Sequence, residues 1–128
     1  MTARRAKKKT GASGGDALEI VGIGSMVLDR LHRTRRVLGA NEKGLLEVAP
    51  GGRPVEVRIG GLMLNQLGWA ALFGLPVGLF GRQAEDDAGR QLRRAMARHG
   101  IATSLDTSGS ASSLAEIFVD AEGERAIY

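Results

Sequence analysis

The sequence predicts an α/β fold, and two observations support this. Short apolar runs at residues 18–24 and 76–80 each end at a glycine, as buried strands do when they enter a sharp turn. Stretches at residues 60–74 and 85–99 instead place their apolar side chains at helical spacing. Strands that alternate with helices are brought side by side by crossover connections, which favours a sheet covered by helices.

The first predicted strand, residues 18–24, is followed by a less regular stretch. Residues 45–48 and 55–59 are predicted to form two short strands joined by a turn at residues 50–52. In the second of these, apolar and charged side chains alternate, so one face would be apolar. Such a hairpin suits a small lid, and we expect the lid strands within residues 42–59.

Two helices and further strands complete the predicted order. The first helix opens at residues 60–61 and is capped at Gly74. The second covers residues 85–99 and carries acidic side chains at its start and basic ones near its end, the order that the helix dipole favours. Gly100 ends it. The remaining predicted strands are residues 101–105, 114–119 and 125–128.

Charge is concentrated at the N-terminus. The net charge is +4, yet without the five basic residues among the first nine, 13 basic and 14 acidic side chains remain. Residues 1–16 are predicted to be a disordered basic tail, and residues 17–128 one domain. The tail has the charge to contact nucleic acid or anionic lipid, but a solvated terminus is the interpretation we favour.

Composition excludes several classes of protein. There is no cysteine, which excludes disulfides, thiolate metal sites and a thiol nucleophile. No apolar run approaches the roughly 20 residues that cross a bilayer, and no apolar segment of a secretory signal follows the basic tail. We therefore expect no membrane partner. The absence of cysteine is compatible with a cytosolic or an exported protein, and a cytoplasmic location is our expectation.

The turn at Gly22 and Gly24 has two interpretations. In a dinucleotide-binding oxidoreductase it would hold a phosphate, and Glu42 would contact a ribose, but Val27 stands where the fingerprint requires a third small residue. Alternatively, Asp29 lies beyond the carboxyl end of the strand, where ligands bind in open α/β sheets. Its carboxylate can accept hydrogen bonds from two neighbouring hydroxyls of a polyol. Taken alone, however, Asp29 is better explained as a residue that caps or solubilises the turn.

A second motif strengthens the polyol interpretation. Gly60 and Gly61 at a helix start allow a ligand to approach the backbone and leave N–H groups free to face it. Asn65, one turn into the helix, offers both a donor and an acceptor to hydroxyls. Each feature alone has a structural explanation, whereas together with Asp29 they predict a sugar pocket.

These motifs resemble those of ribokinase-like (PfkB-type) carbohydrate kinases. Gly24 and Ser25 with Asp29 are similar to the first-strand motif of that family, and the segment from Gly60 to Asn65 is similar to its first signature. Three further stretches resemble the family in the same order along the chain, and the resemblance covers residues 18–128. These stretches are residues 81–89, 99–104 and 120–125.

The resemblance implies a three-layer α/β/α sandwich with a small β-lid, of which this chain would be the N-terminal portion, incomplete at the C-terminus. It implies that Asp29 and Asn65 hold sugar hydroxyls and that Gly60 and Gly61 line the same pocket. The lid would close over the sugar, exclude water and be able to pair with a second subunit as a homodimer. ATP and Mg²⁺ are the implied cofactors of the full-length enzyme.

The catalytic part of the family is missing from the sequence. Its second signature, a glycine-alanine-glycine-aspartate stretch that supplies the general base and an anion hole, does not occur here. Residues 106–110 begin similarly but lack the continuation, so we reject them. We expect no catalytic residue and no metal ligand in this chain, which would be the substrate-binding fragment of a carbohydrate kinase.

Two points stay open. A stand-alone sugar- or nucleotide-binding module without catalysis is the alternative function. The substrate is also undetermined, because four positions depart from the pattern of ribokinases proper, and a ketohexose, a deoxy-sugar acid, a nucleoside or a sugar phosphate all remain compatible. These positions are Leu62, Met63, Leu67 and Ala84.

Overall fold

The structure, a computed structural model, describes residues 17–47 and 55–128. The predicted basic tail at residues 1–16 and the predicted turn at residues 50–52 lie outside the described residues. The described strands are β1 (Ile20–Ile23), β2 (Val27–Arg33), β3 (Glu56–Gly60), β4 (Val77–Arg82), β5 (Ala102–Asp106), β6 (Leu114–Val119) and β7 (Arg125–Ile127). The helices are α1 (Leu62–Leu72) and α2 (Asp87–Arg98). The predicted α/β fold is confirmed.

The first sheet is parallel and has the order β1-β4-β5. Successive side chains of a strand point to opposite faces, so Val77 and Leu79 of β4 lie on one face, where both are buried. The two helices pack against this same face and share one core with it. The helical side chains in this core are Leu64, Leu67, Leu92 and Met96. The described residues therefore form a parallel sheet with two helices packed on one of its faces.

The second sheet, which we call the lid sheet, has four strands in the order β3-β2-β6-β7. β2 is antiparallel to β3 and parallel to β6. Glu116 of β6 reinforces the second pairing, because its carboxylate lies 2.5 Å from Nε2 of His32 and 2.9 Å from Nη1 of Arg30. Both β2 residues thus share a face with Glu116.

The predicted hairpin within residues 42–59 is corrected by this topology. β3 pairs with β2, which was not predicted as a strand, rather than with residues 45–48. In the described part of that segment, Leu46 forms only an isolated bridge to Thr34. The segment that follows β2 is instead stabilised by Glu42, which pairs with Arg36 at 2.6 Å and accepts a hydrogen bond from the backbone N–H of Gly39.

Helix α2 begins at a well-formed cap. The Asp86 carboxylate accepts hydrogen bonds from the backbone N–H groups of Gly89 and Ser112, each at 2.8 Å. The first contact satisfies a helix N-terminal donor, and the second ties the loop before β6 to the helix. Gly100, with φ of 70°, ends the helix as predicted. No helix in the described part of the chain is long and apolar enough to span a membrane.

Candidate functional site

The turn between β1 and β2 holds the start of α1. The Ser25 hydroxyl accepts a hydrogen bond from the backbone N–H of Leu62 at 3.1 Å, and the Ser25 carbonyl accepts one from Leu64 at 3.3 Å. Helix N-termini leave such N–H groups without intrahelical partners. Two of the donors that the sequence predicted to face a ligand are therefore used by Ser25. The sequence did not predict that Ser25 caps α1. The one available signal was the position of Ser25 directly after Gly24 in the first-strand motif.

Gly61 is required by the packing of this turn on the helix. Its φ is 96°, a conformation that favours glycine. A Cβ atom at this position would also lie 2.6 Å from the Ser25 carbonyl oxygen. Gly61 thus brings the backbone of α1 against the backbone of the β1–β2 turn.

Asp29, the predicted sugar-binding carboxylate, lies within the strand β2 rather than in a loop. A Cβ atom built on Gly60 would lie 2.2 Å from Oδ2 of Asp29. The absence of a side chain at Gly60 therefore leaves the space that the carboxylate occupies. The two residues belong to adjacent strands, and a side chain at position 60 would share a face of the lid sheet with Asp29, because Asp29 pairs with Arg58.

The Asp29 carboxylate retains its capacity to accept hydrogen bonds. Among residues 17–47 and 55–128, no group donates a hydrogen bond to it, and the guanidinium of the neighbouring Arg58 is bound at 2.8 Å by Glu56. Burial raises the pKa of the Asp29 carboxyl above its ordinary value. A half-buried carboxylate without an internal partner is suited to bind hydroxyl donors from a ligand.

Asn65 lies one turn into α1 and is exposed. It lines a groove of about 220 Å³ together with Ile59, Trp69 and His99, and that groove does not include Asp29. No hydrogen bond joins the Asn65 amide to the Asp29 carboxylate in the described residues. The structure thus brings together Asp29, Gly60 and Gly61, whereas Asn65 lines a separate groove on α1.

The geometry argues against the dinucleotide-binding interpretation. That interpretation requires a strand that runs through a glycine turn into a helix, whereas β1 runs into β2. A Cβ atom on Gly22 would lie 2.4 Å from Sδ of Met63. The lack of a side chain at Gly22 therefore leaves room for α1 to pack against β1. Glu42, the predicted ribose contact, is paired with Arg36, which lowers the pKa of its carboxyl to about 2.

In residues 106–110, the Asp106 side chain is engaged by neighbouring groups. The Asp106 carboxylate accepts a hydrogen bond from the Ser108 backbone N–H at 2.9 Å and lies 3.2 Å from Nε of Arg82. The contacts with Ser108 lower the pKa of the Asp106 carboxyl, with a smaller contribution from Arg82. In the part of the chain that the structure describes, no group of three or more acidic, histidine or cysteine side chains is placed to hold a metal ion.

Solved structures with the same arrangement of strands and helices are sugar kinases. The ribokinase from Giardia lamblia matches with a TM-score of 0.73 at 19% identity, over 88% of this chain and 33% of that chain. The ribokinase from Cryptococcus neoformans var. grubii serotype A, in complex with ADP, matches with a TM-score of 0.72 at 21% identity, over 89% and 34%. The ribokinase from Thermotoga maritima matches with a TM-score of 0.72 at 20% identity, over 88% and 36%.

The fold is ribokinase-like. This chain spans about a third of the length of the solved structures that it matches, and the match covers nearly all of its described residues. At the level of sequence no protein-family model matches, and no curated protein does. The ribokinase-like fold thus rests on three-dimensional similarity.

Proposed function

We propose that this chain forms the sugar-binding N-terminal portion of an ATP-dependent carbohydrate kinase. The observation that carries the proposal is the Asp29 carboxylate, which lies against Gly60 in a ribokinase-like fold and has no hydrogen-bond donor among the described residues. A carboxylate in this state binds two adjacent hydroxyls of a sugar through charge-assisted hydrogen bonds.

Each residue of the predicted pocket has a distinct role in this proposal. Asp29 accepts hydrogen bonds from sugar hydroxyls, and Gly60 keeps the space that allows it. Gly61 fixes the start of α1 against the β1–β2 turn, so that Asn65 is presented from the first turn of the helix. Asn65 contacts a further hydroxyl when the lid sheet moves over the sugar, because its amide has no partner among the described residues.

The lid sheet closes over the substrate and excludes water, which prevents hydrolysis of ATP in place of sugar phosphorylation. Among the described residues, β3 lies at the edge of this sheet, and its outer row of backbone groups has no strand partner there. We propose that a homodimer, if the complete enzyme forms one, uses this sheet.

ATP and Mg²⁺ belong, in this proposal, to the complete enzyme. The Cryptococcus ribokinase that this chain resembles was solved in complex with ADP. The described residues do not supply a metal-ligand group, and the sequence does not contain the glycine-rich aspartate stretch. We therefore assign no residue of this chain to the nucleotide or the metal.

The test is sugar binding by the chain and by an Asp29→Asn variant. Asparagine has the size of aspartate but accepts fewer and weaker hydrogen bonds, so we expect affinity to fall at least tenfold, about 1.4 kcal/mol. Isothermal titration with a panel of ketohexoses, ribose, deoxy-sugar acids and nucleosides measures the effect. Affinity should also decrease at acidic pH, as the Asp29 carboxyl, whose pKa burial raises, becomes protonated.

Asp87→Asn is the matched control, since it removes an exposed carboxylate that pairs with Arg90 on α2 and is not one of the predicted pocket residues. It should leave sugar affinity unchanged. Binding that is insensitive to Asp29→Asn would contradict the proposal. The same substitution in a complete homologous enzyme distinguishes a stand-alone binding module from a portion of a kinase. Only the kinase interpretation predicts that the substitution lowers kcat/KM of that enzyme for the sugar.

A further inference from the structure

A second groove lies on the other face of the lid sheet. It has a volume of about 470 Å³ and an apolar floor formed by Leu28 of β2 and by Val57 and Ile59 of β3, with Arg58 of β3 as a further lining residue. Leu28 pairs with Ile59, while Asp29 pairs with Arg58. Because successive side chains of a strand alternate between faces, this floor is on the face opposite Asp29.

The wall of the groove is polar and belongs to the last turns of α2. Gln91, Arg94 and Arg98 lie along it, followed by His99. Residues four apart on a helix are neighbours, with about 5–6 Å between their Cβ atoms, so Arg94 and Arg98 present two guanidinium groups side by side. No carboxylate lies among the residues that the structure places around this groove.

The two arginines differ from the other arginines of α2. Arg90 pairs with Asp87, and Arg93 lies 2.9 Å from Glu85. Within residues 17–47 and 55–128, Arg94 and Arg98 form neither an ion pair nor a side-chain hydrogen bond.

Two cations near the groove floor, Arg58 of β3 and Arg30 of β2, are also compensated. Arg58 is bound by Glu56, and Arg30 lies 2.9 Å from Glu116. Uncompensated positive charge in this region is therefore concentrated on Arg94 and Arg98. An apolar floor lowers the local dielectric constant, which strengthens the attraction of these guanidinium groups for an anion.

The geometry points to a binding site for a phosphate-type anion in this groove, held by Arg94 and Arg98. Guanidinium groups donate paired hydrogen bonds that match the oxygens of phosphate. A tetrahedral dianion has enough oxygens to contact two guanidinium groups at once, and Gln91 and His99 are placed to donate to the remaining ones. The ligand is either free phosphate or the phosphate group of a small molecule.

Titration of the ¹⁵N-labelled chain with sodium phosphate at neutral pH tests the inference. We expect saturable chemical-shift changes at the amides of Gln91–His99 and of β3, and no comparable changes with sodium chloride at equal ionic strength. The double variant Arg94→Gln/Arg98→Gln should bind phosphate at least tenfold more weakly. Both arginines are exposed, so the variant should keep the melting temperature of the unmodified chain.

The matched control is Arg90→Gln/Arg125→Gln, which removes the same charge from exposed positions outside the groove. Its phosphate affinity should change less than twofold. An equal loss in the control, equal shifts with chloride, or shifts outside the groove would each overturn the inference. These outcomes are independent of the sugar experiment, because the unmodified chain reports where phosphate binds.

Methyl phosphate, which has no hydroxyl pair for Asp29, distinguishes the two sources of the anion. Binding at least as tight as that of inorganic phosphate identifies a phosphorylated small molecule, whose organic part contacts the apolar floor. Binding of inorganic phosphate alone identifies the free anion. Absence of binding of both probes would refute the site.

Discussion

At the scale of single residues, the candidate site depends on what Gly60 lacks. The space beside its Cα atom is filled by the carboxylate of Asp29, a residue on the neighbouring strand. Glycine is required here by the side chain of another residue, whereas Gly61 is required by its own backbone conformation. The two adjacent glycines are thus required for different physical reasons, and substitutions at the two positions should have different consequences.

Gly60→Ala is expected to lower sugar affinity at least tenfold while the chain still folds. A Cβ atom 2.2 Å from Oδ2 and 3.0 Å from Cγ forces the Asp29 side chain into another rotamer. Isothermal titration gives the affinity, and circular dichroism gives the folded fraction. Gly39→Ala is the control, because its Cβ atom would meet Glu42 at an ordinary 3.5 Å. Unchanged affinity in Gly60→Ala would show that Asp29 does not bind the sugar.

The sequence was sufficient to select Asp29, Gly60 and Gly61 as neighbours, because each belongs to a short motif whose residue types are uncommon together. It could not give the role of Ser25, since a serine side chain caps a helix only when the fold brings that helix to it from 37 positions away. It also could not show that Asn65 lines a groove that excludes Asp29, because that depends on how α1 packs in the fold.

At the scale of elements, α2 illustrates how one side chain joins two parts of the chain. Asp86 caps the helix through Gly89 and also binds the backbone of Ser112, which leads into β6. These backbone N–H groups, with the Ser112 hydroxyl, lower the pKa of the Asp86 carboxyl to about 2 from its ordinary 3.8.

The capping contact should make stability depend on pH in a defined range. Because the pKa is lower in the folded chain, the carboxylate contributes its full stabilisation above the ordinary pKa of 3.8 and loses it as the pH falls towards about 2. We expect Asp86→Asn to melt a few degrees lower than the unmodified chain at neutral pH, and the difference to shrink between about pH 4 and pH 2. Melting curves followed by circular dichroism at a series of pH values provide the measurement.

Asp87→Asn serves as the comparison, because Asp87 lies in the same turn but pairs only with the exposed Arg90. Its melting temperature should stay close to that of the unmodified chain at neutral pH. A difference between Asp86→Asn and the unmodified chain that persists undiminished at pH 2 would exclude the carboxylate as the cause.

The sequence predicted α2 closely, as residues 85–99 against the observed Asp87–Arg98, because its capping residue, apolar face and terminal glycine are all local signals. It did not predict β2. That strand carries charged side chains on both faces, as Asp29 and Arg30 show, so its pattern has no apolar face of its own. β2 is a strand because β3 and β6 provide hydrogen-bonding partners on its two edges.

At the scale of the whole molecule, the chain corresponds to one portion of the ribokinase-like fold. The described residues supply a parallel sheet, two helices on one face of it and the lid sheet. They match about a third of the length of ribokinases from three organisms. Overall class was predictable because alternation of strand and helix patterns survives at low identity, whereas the pairing of distant strands is not encoded locally.

We expect the 128-residue chain alone to transfer no phosphate from ATP to any sugar, since the sequence lacks the stretch that would supply a general base and an anion hole. A coupled assay of ADP release with the sugar panel, run beside a complete sugar kinase as a positive control, checks this. ADP release that depends on sugar and on the purified chain would refute it.

The parallel pairing of β2 with β6 has a consequence for how the chain folds during synthesis. β2 and β3 can pair as soon as residue 60 is available, but the other edge of β2 must wait for β6, as the contact between His32 and Glu116 spans 84 positions. Pairings between distant segments are slow to form, and an edge that waits for its partner is open to association with other chains. Formation of the lid sheet should therefore limit the folding rate, and the nascent chain should be most prone to aggregate before β6 is made.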